Sequence, residues 1–211
     1  MKKKFLISVA IIIAALMTMA GAGCTASAAA TEPTAVEFIG SDFELSLPEK
    51  WEGGAKEELD AVVENLKEAG RVQLSDEVAA SKKDLLFFGY NSEEAAQEGS
   101  VSNFTIAGEF ADFLSIEEYM ELSYTNISEL YTKAGYEFII IKEDIVPIGN
   151  YDKTGRVIFE QTVEGIKTKA VQYIIKYKTD FWVLTFTTDM EKFDENVEAF
   201  DKTIETFKIL D

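Results

Sequence analysis

Between Thr154 and Leu210 the chain runs three strand patterns and one helix pattern back to back, which leaves the rest little freedom. Arg156 to Glu164, Ile166 to Lys178 and Phe181 to Thr188 are rich in Val, Ile, Phe, Tyr, Trp and Thr, residues that suit a pleated, half-buried surface. Glu164-Gly165 is a hairpin signal, so the block predicts an antiparallel meander. Phe193, Val197, Phe200, Ile204 and Phe207 follow at spacings of four, three, four and three. They share one face of a helix, and that face needs the meander to cover it.

The N-terminus says where such a domain works. Lys2, Lys3 and Lys4 precede an apolar run from Phe5 to Met19, then Ala20 to Gly23, then Cys24, the only cysteine. We read residues 1–23 as an export signal and Cys24 as the site of lipid attachment, with Gly21 where a bacterial lipoprotein signal most often has leucine. Cleavage after Ala26-Ser27-Ala28, or an uncleaved anchor from Phe5 to Gly23, are the alternatives; an anchor needs about 20 apolar residues. A diacylglyceryl group on Cys24 supplies the two chains that stable anchoring takes. Residues 24–35 form a flexible tether, and its eleven residues after Cys24 reach at most ~40 Å. The expected location is the outer face of a bacterial cytoplasmic membrane.

Residues 36–211 are expected to form one domain. Phe43, Leu45 and Leu47 alternate with polar residues as a half-buried strand, Trp51 reads as core, and Gly53-Gly54 as a turn. Lys56 to Ala69 reads as a helix with Leu59, Val62, Val63 and Leu66 inward, and Val78-Ala79 as a further helical turn. Asp84 to Tyr90 is apolar on both faces, Asn91 to Ser102 reads as an exposed acidic loop, and Phe104 to Phe110 as a strand. Ser115 and Glu118 form a capping box for a helix that Gly135 ends. Tyr136 to Ile141 reads as a strand apolar on both faces, and so as an interior strand of the sheet. Strands of that kind with amphipathic helices predict an α+β domain, an antiparallel sheet with helices on both faces.

The chemistry open to the chain is narrow. There is no histidine, so histidine-based nucleophile, general-base and metal systems are excluded, and no phosphate-binding glycine pattern marks a cofactor site. Arg71 and Arg156 are the only arginines and so the only candidate bidentate clamps for an anion. Asn150, Asp152, Thr154 and Gly155 match the start of a calcium loop, but Gln161 stands where the bidentate glutamate belongs. We therefore read Asp152-Lys153-Thr154-Gly155 as a turn between strands, with no metal site. The net charge of −18 includes the three signal lysines, so residues 24–211 carry −21 and disfavour nucleic acid. Asp189, Glu191, Asp194, Glu195, Glu198 and Asp201 read as the solvated face and start of the last helix, or as a docking surface for a basic partner. Tyr173, Tyr177, Trp182 and Phe186 read as core.

Leu-Pro-x-x-Trp at Leu47 to Trp51, Leu-Ser-x-x-Glu-Tyr at Leu114 to Tyr119, and Gly-Tyr-Glu-Phe at Gly135 to Phe138, followed by the meander and helix, resemble the PsbP-like family with its DcrB-like bacterial lipoproteins. The helix Lys56 to Ala69 departs from the family's shortest members. The resemblance implies an α/β/α sandwich acting as a non-catalytic binding or accessory module with a protein partner and no cofactor. A small-ligand or cation-binding lipoprotein is the alternative, and a carboxylate-based enzyme the third.

Overall fold

The computed structural model describes residues 35–210; the signal, Cys24 and all but the last residue of the tether lie outside the described residues. Two short antiparallel pieces come first, β1 (Val36–Ile39) and β2 (Phe43–Leu47), then β3 (Trp51–Ala55). A single 3-10 turn leads into α1 (Leu59–Glu68) and α2 (Val72–Ser81), followed by β4 (Leu85–Asn91), the four-residue α3 (Ser92–Ala95) and β5 (Asn103–Phe110). The second half holds α4 (Ile116–Ala134), β6 (Glu137–Ile148), β7 (Tyr151–Val163), β8 (Ile166–Tyr177), β9 (Asp180–Asp189), α5 (Phe193–Thr206) and β10 (Lys208–Ile209).

Seven strands form one antiparallel sheet in the order β3-β4-β5-β9-β8-β7-β6, and β1-β2-β10 form a second, smaller sheet. The predicted meander is β7-β8-β9, joined at Glu164-Gly165, where both residues have positive φ. Alternation along β9 sorts the core. Trp182, Leu184 and Phe186 face α5 and the small sheet, whereas Phe181 and Val183 face α4. The α1–α2 pair covers the β4 end of the α4 face, packing Leu59, Val62, Leu66, Leu74 and Val78 on Leu85, Phe88 and Tyr90. Helices therefore lie on both faces, as a sheet apolar on both sides requires.

The layer under α5 is built from rings. Phe186 stacks on Phe104 and on Phe200, each at 4.1 Å between centroids, and meets Trp51 edge-on at 6.1 Å. Trp51, Tyr173, Trp182 and Phe186 are buried as expected; Tyr177 is half-buried. Under α4 the buried glutamines are satisfied by tyrosines. Tyr124 donates to Gln172 and Tyr131 to Gln161, both at 2.6 Å, and each glutamine passes a hydrogen bond to a strand threonine. The predicted capping box is present: Ser115 Oγ accepts from the Glu118 amide at 3.1 Å, and Glu118 accepts from the Ser115 amide at 2.8 Å.

Several expectations need correction. Gly53-Gly54 is not a turn but part of edge strand β3, where a Cβ on Gly53 would lie 2.5 Å from the Phe88 carbonyl oxygen. Residues 72–81 form a full helix rather than one turn. The 91–102 segment is not simply an exposed loop: it holds α3, buries Ala95, Val101 and Ser102, and is tied down by Arg71, which donates to the carbonyls of Ala95 and Glu94 at 2.8 Å and of Gly99 at 3.2 Å. Asp152-Lys153-Thr154-Gly155 lies inside β7, and the turn sits one step earlier at Gly149-Asn150. Gly149 is required there, with φ +56 and Glu205 backbone about 3.0 Å from any added Cβ. An extended strand cannot wrap a calcium ion as a loop does.

On α2, Glu77 is half-buried and one of its carboxylate oxygens has no hydrogen-bond partner. Burial pushes its carboxyl up to about 7, against a weak opposing bond from Gln73. The folded-state value lies above the unfolded one, so the folded chain holds the proton more tightly. This contribution is intact below the unfolded value and is lost as pH rises toward 7. Glu77→Gln should therefore gain ~1–2 kcal/mol at pH 8, after discount for its exposure, and nearly nothing at pH 4. Urea unfolding of both forms at the two pH values measures this; an equal gain at both would remove the titration as its cause.

Candidate functional site

The two arginines are spent inside the fold. Arg71 clamps the 94–99 backbone, and Arg156 makes a fork to Asp201 across 45 residues of sequence, Nε to Oδ1 at 2.9 Å and Nη2 to Oδ2 at 3.1 Å. Tyr173, fully buried, donates to the same Oδ1 at 2.5 Å. Burial and the bond to Asp201 raise the Tyr173 phenol far above its usual range. Burial pulls the Arg156 guanidinium down, yet the bonds to Asp201 leave it above its ordinary value. Asp201 thus lies at the margin of the solvated face predicted for α5, its side chain 38% exposed but its carboxylate committed to Arg156 and Tyr173.

Among the described residues no group of three or more cysteine, aspartate or glutamate side chains lies together as metal ligands do. Glu52 and Glu68 line a hollow of about 370 Å³, where Glu52 accepts from the Tyr90 hydroxyl at 2.9 Å. The larger hollow, about 810 Å³, is an open cleft at the end of the sheet. It is lined by Ser115, Ile116 and Glu117 at the start of α4, by Asn150 to Lys153, by Lys176 to Lys178, and by Lys208 and Ile209.

The most distinctive surface is β6. Its run of apolar residues predicted an interior strand, but β6 pairs only with β7 among the described residues and forms the sheet's edge. Ile139 is 52% exposed and Ile141 49%, with Ile140 and Ile145 also open, and Leu130 of α4 is 50% exposed. Twelve residues of edge backbone accompany them. The ladder shifts register between Ile140 and Lys142, where Ile141 is an extra residue in the edge, and again between Val146 and Ile148, where the bulge lies on β7 and Asp152 and Lys153 stand opposite Pro147. A signal for the edge existed in the sequence. Lys142, Glu143 and Asp144 are consecutive, and three successive charges put polar groups on both faces.

The class these features define is a PsbP-like fold: an antiparallel sheet with helices on both faces. The chain is similar to cyanobacterial PsbP (CyanoP) from Synechocystis sp. PCC 6803 over 88% of its own length and 98% of that protein, with a TM-score of 0.57 at 8% identity. It is also similar to LpqN of Mycobacterium tuberculosis, involved in cell envelope biogenesis, over 86% and 93% of the two chains (TM-score 0.51, 9% identity). The Ran-binding protein Mog1p of Saccharomyces cerevisiae is similar over 86% and 97% (TM-score 0.51, 8% identity). No family model and no curated protein matches the sequence. At these identities the likeness shows the fold, and on that level the resemblance read from Leu47 to Trp51, Leu114 to Tyr119 and Gly135 to Phe138 holds.

Proposed function

We propose that the chain is an extracytoplasmic lipoprotein, anchored through Cys24, whose domain docks a protein partner along the β6 edge as an accessory module. The observation that carries this is the edge itself: backbone groups with no further strand partner among the described residues, beside exposed isoleucines, are what strand addition uses, the backbone giving affinity and the side chains specificity. Charge selects the occupant. Residues 24–211 carry −21, so a second copy is repelled, whereas a partner that offers an extended apolar segment from a basic surface is drawn in. Mog1p, similar in fold, is by its name a protein-binding protein. A tether reaching at most ~40 Å keeps such a partner close to the membrane.

The test is crosslinking in intact cells, with recovery of the lipidated protein and mass spectrometry of what accompanies it. The parent should bring down one basic protein in near-equal amount, and Ile139→Lys with Ile141→Lys should lower its yield roughly tenfold while leaving the unfolding midpoint unchanged. Equal recovery with the double variant would sink the β6 assignment, and a self-dimer abolished by it would replace the partner with a second copy. Cys24→Ser should leave the detergent phase on fractionation; retention there would replace the lipid with a membrane-spanning anchor.

A further inference from the structure

Four lysines in this acidic protein converge on one place. Lys153 comes from the start of β7, Lys176 from the end of β8, Lys178 from the β8–β9 turn and Lys208 from β10, and all four line the 810 Å³ cleft. Two of them are held in place. The Lys176 ammonium donates to the carbonyls of Asp112 at 3.0 Å and Leu114 at 2.5 Å, and that of Lys178 lies 4.9 Å from the centroid of the Tyr177 ring. Lys208 is paired with Glu44, and Glu117 and Asp152 share the lining, so the local excess is a modest positive one within a strongly negative molecule. Tyr151, Tyr177, Ile116 and Ile209 supply apolar wall.

We propose that this cleft binds a phosphate ester: one phosphoryl group among the lysines, with its polyol against the tyrosine walls. The volume falls in the range of small-molecule sites, about 300–1,000 Å³. Lysine ammoniums act as point charges that suit a phosphate approached from several directions, whereas the arginines better shaped for planar carboxylates are both engaged elsewhere. Nucleic acids and other long polyanions are excluded by the charge of the surrounding surface. Two sources share the chemistry, a soluble phosphate ester and the headgroup of an anionic phospholipid beneath the tether. Nothing in this assignment depends on the β6 edge.

Calorimetric titration of the full chain in neutral detergent with glycerol 3-phosphate addresses the soluble source. Saturable binding should weaken roughly tenfold or more in Lys153→Glu with Lys178→Glu and stay unchanged in Lys202→Glu, a control on the outer face of α5. The lipid source is addressed by acetylation of the full chain in nanodiscs, read by mass spectrometry. Protection of Lys153 and Lys178 in discs with phosphatidylglycerol, absent in phosphatidylcholine discs, would make the headgroup the ligand. The proposal is overturned if neither probe binds, or if binding survives the charge reversal.

Discussion

Replacing Phe186 by alanine is expected to remove about 3–5 kcal/mol of stability, a large share of the roughly 5–15 kcal/mol that holds a domain of this size. Phe186 is fully buried, lies between Phe104 and Phe200 in a stack with 4.1 Å spacings, and is met edge-on by Trp51 and Tyr173. Its ring joins β5, β9, α5 and β3, so the cavity left by truncation has walls on three sides that cannot collapse together. Trp51 reports the change directly, because its indole packs on the deleted ring. Urea unfolding followed by tryptophan fluorescence measures it, with Phe110→Ala as the comparison. Phe110 is 67% exposed, and its truncation should stay within ~0.5 kcal/mol. A loss below ~1 kcal/mol for Phe186→Ala would mean that the stack is not what couples α5 to the sheet.

That core was legible because its periodicity is local. The four-three-four-three spacing from Phe193 to Phe207 and the alternation along β9 each state which face is inward without reference to the rest of the chain. Ser115-Glu118 was legible for the same reason, since both halves of a capping box lie within one turn. What the sequence hid was adjacency. Ile139, Ile140 and Ile141 look like an interior strand, yet β9 inserts between β5 and β8 and leaves β6 at the rim. A run of apolar residues reports a surface that avoids water; whether a neighbouring strand or a partner covers it is decided by topology.

The same limit hid both charged sites. Arg156 looked like a free anion clamp because its carboxylate lies 45 residues away, and Asp201 looked solvated because five other acids surround it in sequence. The lysine cleft draws on positions from 153 to 208, and only Lys176-Tyr177-Lys178 are close enough to hint at it. Gly53-Gly54 misled differently. Glycine there serves close approach of strand to strand, and the same residue type serves turns.

Asp201→Ala should cost about 2–3 kcal/mol, well above the usual effect of an acid on a helix surface. The carboxylate takes three hydrogen bonds, two from Arg156 and one from Tyr173. Its own side chain is 38% exposed, so its removal alone spares it a desolvation cost. The partners set the penalty: the Arg156 side chain is only 14% exposed and Tyr173 is fully buried, so both lose their acceptor where water enters poorly. Asp201→Asn keeps one acceptor oxygen for the phenol or the guanidinium but not the charge, and should cost ~1 kcal/mol. Tyr173→Phe removes the phenol donor without opening a cavity. Combined with Asp201→Ala it should then cost less than the sum of the two, by ~1 kcal/mol, because the second change deletes a donor already stranded. Unfolding free energies of the parent, both single variants and the pair close the cycle. Additive losses would mean that the phenol–carboxylate contact contributes nothing net, leaving the Arg156 fork alone to pin α5 across β7 and β8.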